Sequence, residues 1–161
     1  MATFYSTQYA NLVAVPAAKV DAPDAAGSVK IMYFDYTITS TTPATSDIIK
    51  LGVLPKGARV LDVEISAPDL GTTGALNVGW AASGELTSAG VAVEAANASG
   101  FFAALDVNTA AATQNMSDVA GASVAGYLKK FAASVDVQMA PSTVWTVTSG
   151  TIKGFVKYAI V

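Results

Sequence analysis

From residue 29 onward, hydrophobic and polar positions alternate with a period of two over short runs, the spacing that puts successive side chains on opposite faces of a strand. Residues 29–38 place Met32, Phe34, Tyr36 and Ile38 on one face and Ile31, Tyr33, Asp35 and Thr37 on the other. A polar run with Pro43 closes this strand, and residues 47–54 form a second. Pro55-Lys56-Gly57 supplies a turn in which glycine accepts a positive φ. Residues 58–66 are the clearest strand, with Leu61, Val63 and Ile65 facing Asp62 and Glu64 across the chain. A slip of one residue there would bury both acids, so the register is well specified. After a loop at 68–74, residues 75–81 alternate again through Leu76, Val78 and Trp80, and Gly79 between them lets a neighbouring chain approach closely.

Residues 82–126 break the pattern. They are crowded with Ala, Gly, Ser, Asn and Thr and carry few large apolar residues apart from Phe101, Phe102 and Leu105. They predict a long irregular excursion with one short strand near 100–105. The spacing of Val124, Tyr127, Leu128 and Phe131 suits a helix within 119–133, against which Gly121 and Gly126 count. Alternation returns at 133–140, with Val135, Val137 and Met139 opposite Asp136 and Gln138. Two further strands follow at 143–148 and 151–161, joined at Ser149-Gly150. In the last, Lys153 and Lys157 lie beside Phe155, and Ile152, Val156, Tyr158 and Ile160 lie opposite. No repeat of 20–50 residues is visible.

Seven or eight short strands bounded by Gly, Pro and Asp turns predict an all-β chain folded as an antiparallel β-sandwich, with a jelly roll the favoured arrangement. Residues 1–28 read differently. Aromatics without period are followed by two prolines and a glycine, so this stretch is expected to be an extended arm preceding a single domain at 29–161. Phe4, Tyr5 and Tyr9 in that arm either fold back on the core or dock on another subunit; they are the partner-binding candidates.

Composition narrows the chemistry. The 161 residues suit one domain and bury a core without disulfides or metal. With no Cys and no His, thiolate and imidazole chemistry are excluded, and with them zinc fingers, iron–sulfur clusters and the Ser–His–Asp triad. Nine basic against twelve acidic residues leave a net charge of −3, which disfavours a basic nucleic-acid-binding face. No apolar run is long enough to span a membrane, and with no basic residue before Lys19 a signal peptide is not expected. Charged residues are only 13% of the chain, so much of the surface is suited to contact with neighbours.

Candidate sites are few. Asp62, Glu64 and Asp69 lie close enough in sequence for a hard-cation site, although the solvent face of a half-buried strand is the favoured account of them. The glycines of 69–74 and 120–126 match neither a phosphate-binding loop nor a dinucleotide fingerprint. Lys129-Lys130 is the one basic doublet, either solvated or an anion contact. Trp80 and Trp145 read as core anchors or as a sugar-stacking platform. No catalytic constellation emerges, no cofactor is implied, and an enzyme is the least favoured class.

One stretch says more. Residues 47–60, with Gly52-Val53-Leu54-Pro55-Lys56-Gly57-Ala58, run into the strand around Val63; Asp69-Leu70-Gly71-Thr72-Thr73-Gly74 then leads to Val78-Gly79. These motifs, the closing Ser149-Gly150-Thr151-Ile152-Lys153-Gly154-Phe155-Val156-Lys157-Tyr158 and the opening Met1-Ala2-Thr3-Phe4-Tyr5 resemble small virion structural proteins of tailed bacteriophages. The likeness covers about half the chain, and its motifs are structural. It implies a decoration (cement) protein on the outer head surface: jelly-roll-like, often trimeric, bridging subunits of the major capsid protein and holding the shell against internal DNA pressure. Residues 82–126 match no such pattern, which keeps a head–tail junction, tail or head-fibre base role open. A carbohydrate-binding sandwich aiding host adhesion is the other alternative, and it requires Trp80 or Trp145 exposed in a groove.

Overall fold

The computed structural model describes residues 28–38, 43–108, 112–118 and 124–160. Their strands are β1 (Lys30–Ile38), β2 (Ile49–Leu54), β3 (Ala58–Ala67), β4 (Ala75–Trp80), β5 (Asn97–Asp106), β6 (Ala112–Asn115), β7 (Val135–Pro141) and β8 (Gly150–Ile160). They form two four-stranded sheets, ordered β1-β8-β3-β6 and β2-β7-β4-β5. Every paired neighbour is antiparallel. The pairs β1·β8, β2·β7, β3·β6 and β4·β5 are those of one long hairpin folded at the β4–β5 connection. Rolling that hairpin brings β8 against β3 and β7 against β4, which closes the two sheets of a jelly roll.

The alternation read from the sequence supplies the core. Phe34, Ile38, Val60, Val63, Ile65, Ile152 and Val156 point inward from the first sheet. Leu54, Leu76, Val78, Phe102, Val135, Val137 and Met139 meet them from the second. Strand direction sorts the connections. β2–β3, β4–β5 and β6–β7 lie at one end together with the start of β1 and the end of β8; this is the arm end, named for the arm expected over residues 1–27, because the first described residue, Ser28, lies just before β1. At the arm end Trp80 packs at 5.2 Å from Phe101 and 5.1 Å from Phe131. Leu70, Val107 and Trp145 are buried at the opposite end.

The motif glycines have local reasons. Gly57 turns β2 into β3 at φ 83°, as expected of it. Gly71 has φ 96°; the Asp69 carboxylate accepts its N–H at 2.8 Å and the Gly74 N–H closes the turn on its carbonyl at 2.8 Å. Gly79 faces the backbone of Asn97 to Gly100, which a Cβ would overlap, so the neighbouring chain it admits is β5 of the same domain.

Four sequence expectations are corrected. First, the described part of residues 82–126 carries more regular structure than the composition suggests: β5 spans ten residues, β6 follows, and residues 83–94 double back through the Leu86–Ala92 bridge. Second, the helix within 119–133 is reduced to a 3-10 turn at Val124–Gly126, while residues 119–123 lie outside the described residues. Residues 128–131 instead pair with the start of β3, through Leu128 N–H to Val60 O at 2.9 Å and Phe131 N–H to Ala58 O at 2.9 Å. The apolar spacing was real, but a free β3 edge claimed the backbone. Third, residues 143–148 form no strand, because this segment serves β4 and the 68–74 loop: the Trp145 indole donates to Ala75 O and Thr146 N–H to Leu70 O, both at 3.1 Å. Fourth, Leu61 is only half-buried, since a register shift between Val60 and Asp62 swings it off the core face, and at the end of β8 Ala159 is buried while Ile160 is exposed.

Candidate interaction surfaces

The outer face of the β1-β8-β3-β6 sheet is the first candidate. Antiparallel register lines up three rows across it: Ile31, Lys157 and Asp62; Tyr33, Phe155 and Glu64; Asp35, Lys153 and Ser66. Alternation decides which side chains stand there, and the middle row makes the face aromatic at its centre. Tyr33 is 73% exposed and meets Phe155 edge-on at 5.9 Å, with the Lys157 ammonium 5.0 Å from the Phe155 ring. Beside this pair, over the backbone of Gly154, lies a depression of about 420 Å³ lined also by Asp35, Glu64, Ser66 and Lys153. Asp35 and Lys153 sit opposite each other in register without forming an ion pair. The association of Lys153 and Lys157 with Phe155 was legible in the β8 sequence; the arrival of Tyr33 and Glu64 on either side depends on strand pairing that no local pattern reveals.

The arm end is the second candidate. Val29, Ile31, Leu86, Val91, Tyr127, Leu128 and Ile160 are all exposed, and all belong to the β1 start, the β8 end or the connections that meet there. Apolar side chains gathered at one end of a sandwich mark a contact surface more often than scattered ones do. Leu128 also carries φ 55°, uncommon for a side-chain-bearing residue, held by its N–H bond to Val60. Phe4, Tyr5 and Tyr9 lie outside the described residues.

Beneath this end is a buried polar node. The Lys129 ammonium is 2.8 Å from a Glu94 carboxylate oxygen and 5.5 Å and 5.1 Å from the Trp80 and Phe131 ring centres. The other Glu94 oxygen accepts the Ala132 N–H at 2.6 Å. Burial alone would raise the Glu94 carboxyl, but the hydrogen bonds from Lys129 and Ala132 and the Lys129 charge hold it below its ordinary value. Lys129 is thus a structural clamp between the β4–β5 and β6–β7 connections, and Lys130 is the exposed member of the doublet. Neither tryptophan offers a stacking face: Trp80 is 3% and Trp145 1% exposed. Asp62 and Glu64 are on the outer face of β3, Asp69 caps its own turn, and among the described residues no three acidic groups gather as a metal site.

No family model and no curated protein matches the chain. Solved structures do. A chain in the capsid of Ralstonia phage GP4 is similar at 28% identity with a TM-score of 0.59, over 86% of this chain and 88% of that one. A chain of the cyanophage Pam1 capsid asymmetric unit has the same fold at 24% identity and a TM-score of 0.59, over 84% of this chain and 86% of that one.

Proposed function

We propose that this chain is a decoration protein, which binds the outside of an assembled phage head and stabilises the shell by bridging subunits of the major capsid protein. The carrying observation is the likeness, across most of both chains, to a chain of the Ralstonia phage GP4 capsid. A structural component of a phage capsid is the coarse reading, and the decoration role refines it. Support for the refinement comes from the surface. The rolled hairpin closes a complete core within one chain, so the exposed apolar residues at the arm end are available to a partner. Residues 1–27 precede β1 at that same end, and Phe4, Tyr5 and Tyr9 of the expected arm would add anchors of the kind that dominate contact surfaces. Three copies around one axis would multiply every contact with the lattice, so that modest single contacts hold firmly.

A ligand of the assembled lattice stabilises it by mass action, without chemistry. The test compares heads prepared with and without this chain, heated while DNA release is followed, and locates the chain by density in the assembled particle. Decorated heads should release DNA at a higher temperature, with threefold density on the outer surface. Identical release curves with density at the tail would replace this reading with the head–tail alternative.

A further inference from the structure

We propose that the depression beside Tyr33 and Phe155 is a binding site for a neutral saccharide. Such a site would stand whether or not the decoration role does, and it moves sugar recognition from the buried tryptophans to the outer face of the β1-β8-β3-β6 sheet.

Three observations carry it. The first is shape: about 420 Å³ lies open on a rigid sheet, within the range of small-ligand sites and ample for one or two sugar rings. The second is an aromatic platform. Tyr33 is 73% exposed and its ring is steadied edge-on by Phe155 at 5.9 Å, so it offers a flat face to the C–H side of a pyranose. The third is the state of the polar groups. Asp35, Glu64 and Lys153 line the depression, yet none of their side chains makes a hydrogen bond or ion pair with any described residue.

The mixture of those groups selects the ligand. A cationic side chain would be met by Lys153 and by Lys157, which already lies against Phe155. An anion would be met by Asp35 and Glu64. A neutral hydroxyl suits both signs, donating to a carboxylate while accepting from an ammonium, and a sugar ring presents several hydroxyls around an apolar face. Ser66, whose oxygen accepts from Thr113 at 3.1 Å, retains its own proton to donate.

The experiment is native affinity electrophoresis of the full chain through gels containing dextran, laminarin, galactomannan or hydroxyethylcellulose, with heparin as an anionic comparison. At least one neutral polysaccharide should retard the protein. Tyr33→Ala and Glu64→Gln should each weaken that retardation by at least about tenfold, and Tyr127→Ala, an exposed aromatic elsewhere, should leave it unchanged. No retardation in any neutral gel overturns the proposal, as does equal retardation of Tyr33→Ala. Retardation by heparin alone would reduce the site to attraction by Lys153 and Lys157. Sedimentation completes the set: if Tyr33→Ala dissociates an oligomer, the face is a contact between copies and the saccharide reading falls.

Discussion

Glu94 and Lys129, 35 residues apart in sequence, meet at 2.8 Å beneath the arm end and join the β4–β5 and β6–β7 connections. Glu94 also holds the Ala132 N–H, so its removal leaves a half-buried ammonium and a backbone donor without their partner. Glu94→Ala should therefore destabilise by about 2–3 kcal/mol, the scale of lost hydrogen bonds to a charged group. The pH dependence has a definite sign. The folded carboxyl titrates below its ordinary 4.5, so its contribution is fully present above that value and is lost as pH falls through the lower, folded value. Thermal melts should show a constant gap between parent and Glu94→Gln at neutral pH, closing in acid below 4.5.

Strand β3 carries core on one side only. Val63 is fully buried, whereas Asp62 stands on the outer face with its carboxylate accepting the Val63 N–H at 2.9 Å. Val63→Asp buries an unpaired carboxylate and should cost several kcal/mol, about 3 or more, while Asp62→Asn should stay within about 0.5 kcal/mol. Equal losses of melting temperature would mean that the register is wrong.

The β3 register was legible because acids and branched apolar residues alternate without ambiguity from Asp62 to Ile65. β1, β4 and β7 were legible from period-two alternation, and β2 from its place between the polar run at Pro43 and the Pro55-Lys56-Gly57 turn. β5 was only partly so, since Asn97, Ala98, Ser99 and Gly100 have no apolar rhythm and two bulges scramble the remainder of the strand. Opposite Asn77 the chain carries both Ala103 and Ala104, so Phe101, Phe102 and Leu105 are all buried despite unequal spacing. Thr143 to Thr148 alternates convincingly but pairs with no strand, because pairing is decided by distant partners. The outer-face depression was illegible for that reason too: its walls come from three strands, and only β8 displayed its share.

Gly79 in β4 and Gly84 in the connection after it give a contrast. At Gly79 a Cβ would overlap the Asn97 carbonyl and the Gly100 nitrogen, both backbone atoms that cannot move alone. Gly79→Ala should cost about 3 kcal/mol or prevent folding. Gly84 faces open space, so Gly84→Ala should be neutral or stabilise by up to about 1 kcal/mol through the unfolded chain. Denaturant midpoints of the two variants check both.

Ala104 takes φ 48° at the β5 bulge, where the Asn77 amide oxygen accepts its N–H at 2.7 Å. Left-handed backbone costs a side-chain-bearing residue about 1–2 kcal/mol, which glycine avoids while giving up some entropy of its own. Ala104→Gly should raise the denaturant midpoint slightly, by up to about 1 kcal/mol in stability, and Asn77→Ala should lower it by a similar amount. A fall for Ala104→Gly would count against the bulge geometry.

The arm should matter for attachment and not for folding. The described sandwich closes its own core: Phe34, Val63, Val78, Val137 and Val156 are buried by residues of the two sheets, all after residue 28. Deleting residues 1–27 should leave a β-rich domain with a cooperative melt. Attachment to heads is another matter. Phe4, Tyr5 and Tyr9, if they dock on a neighbouring subunit, would each contribute about 1.5–3 kcal/mol before ordering costs. If several copies act together on one lattice, as proposed above, even one lost anchor per copy would weaken the decoration of a shell steeply. Titrating undecorated heads with the full chain and the truncated chain, and counting bound copies, measures this directly. The truncated chain should saturate only at much higher concentration. Equal saturation would remove the arm from the attachment site and leave Leu86, Val91, Tyr127 and Leu128 at the arm end as the contact to examine next.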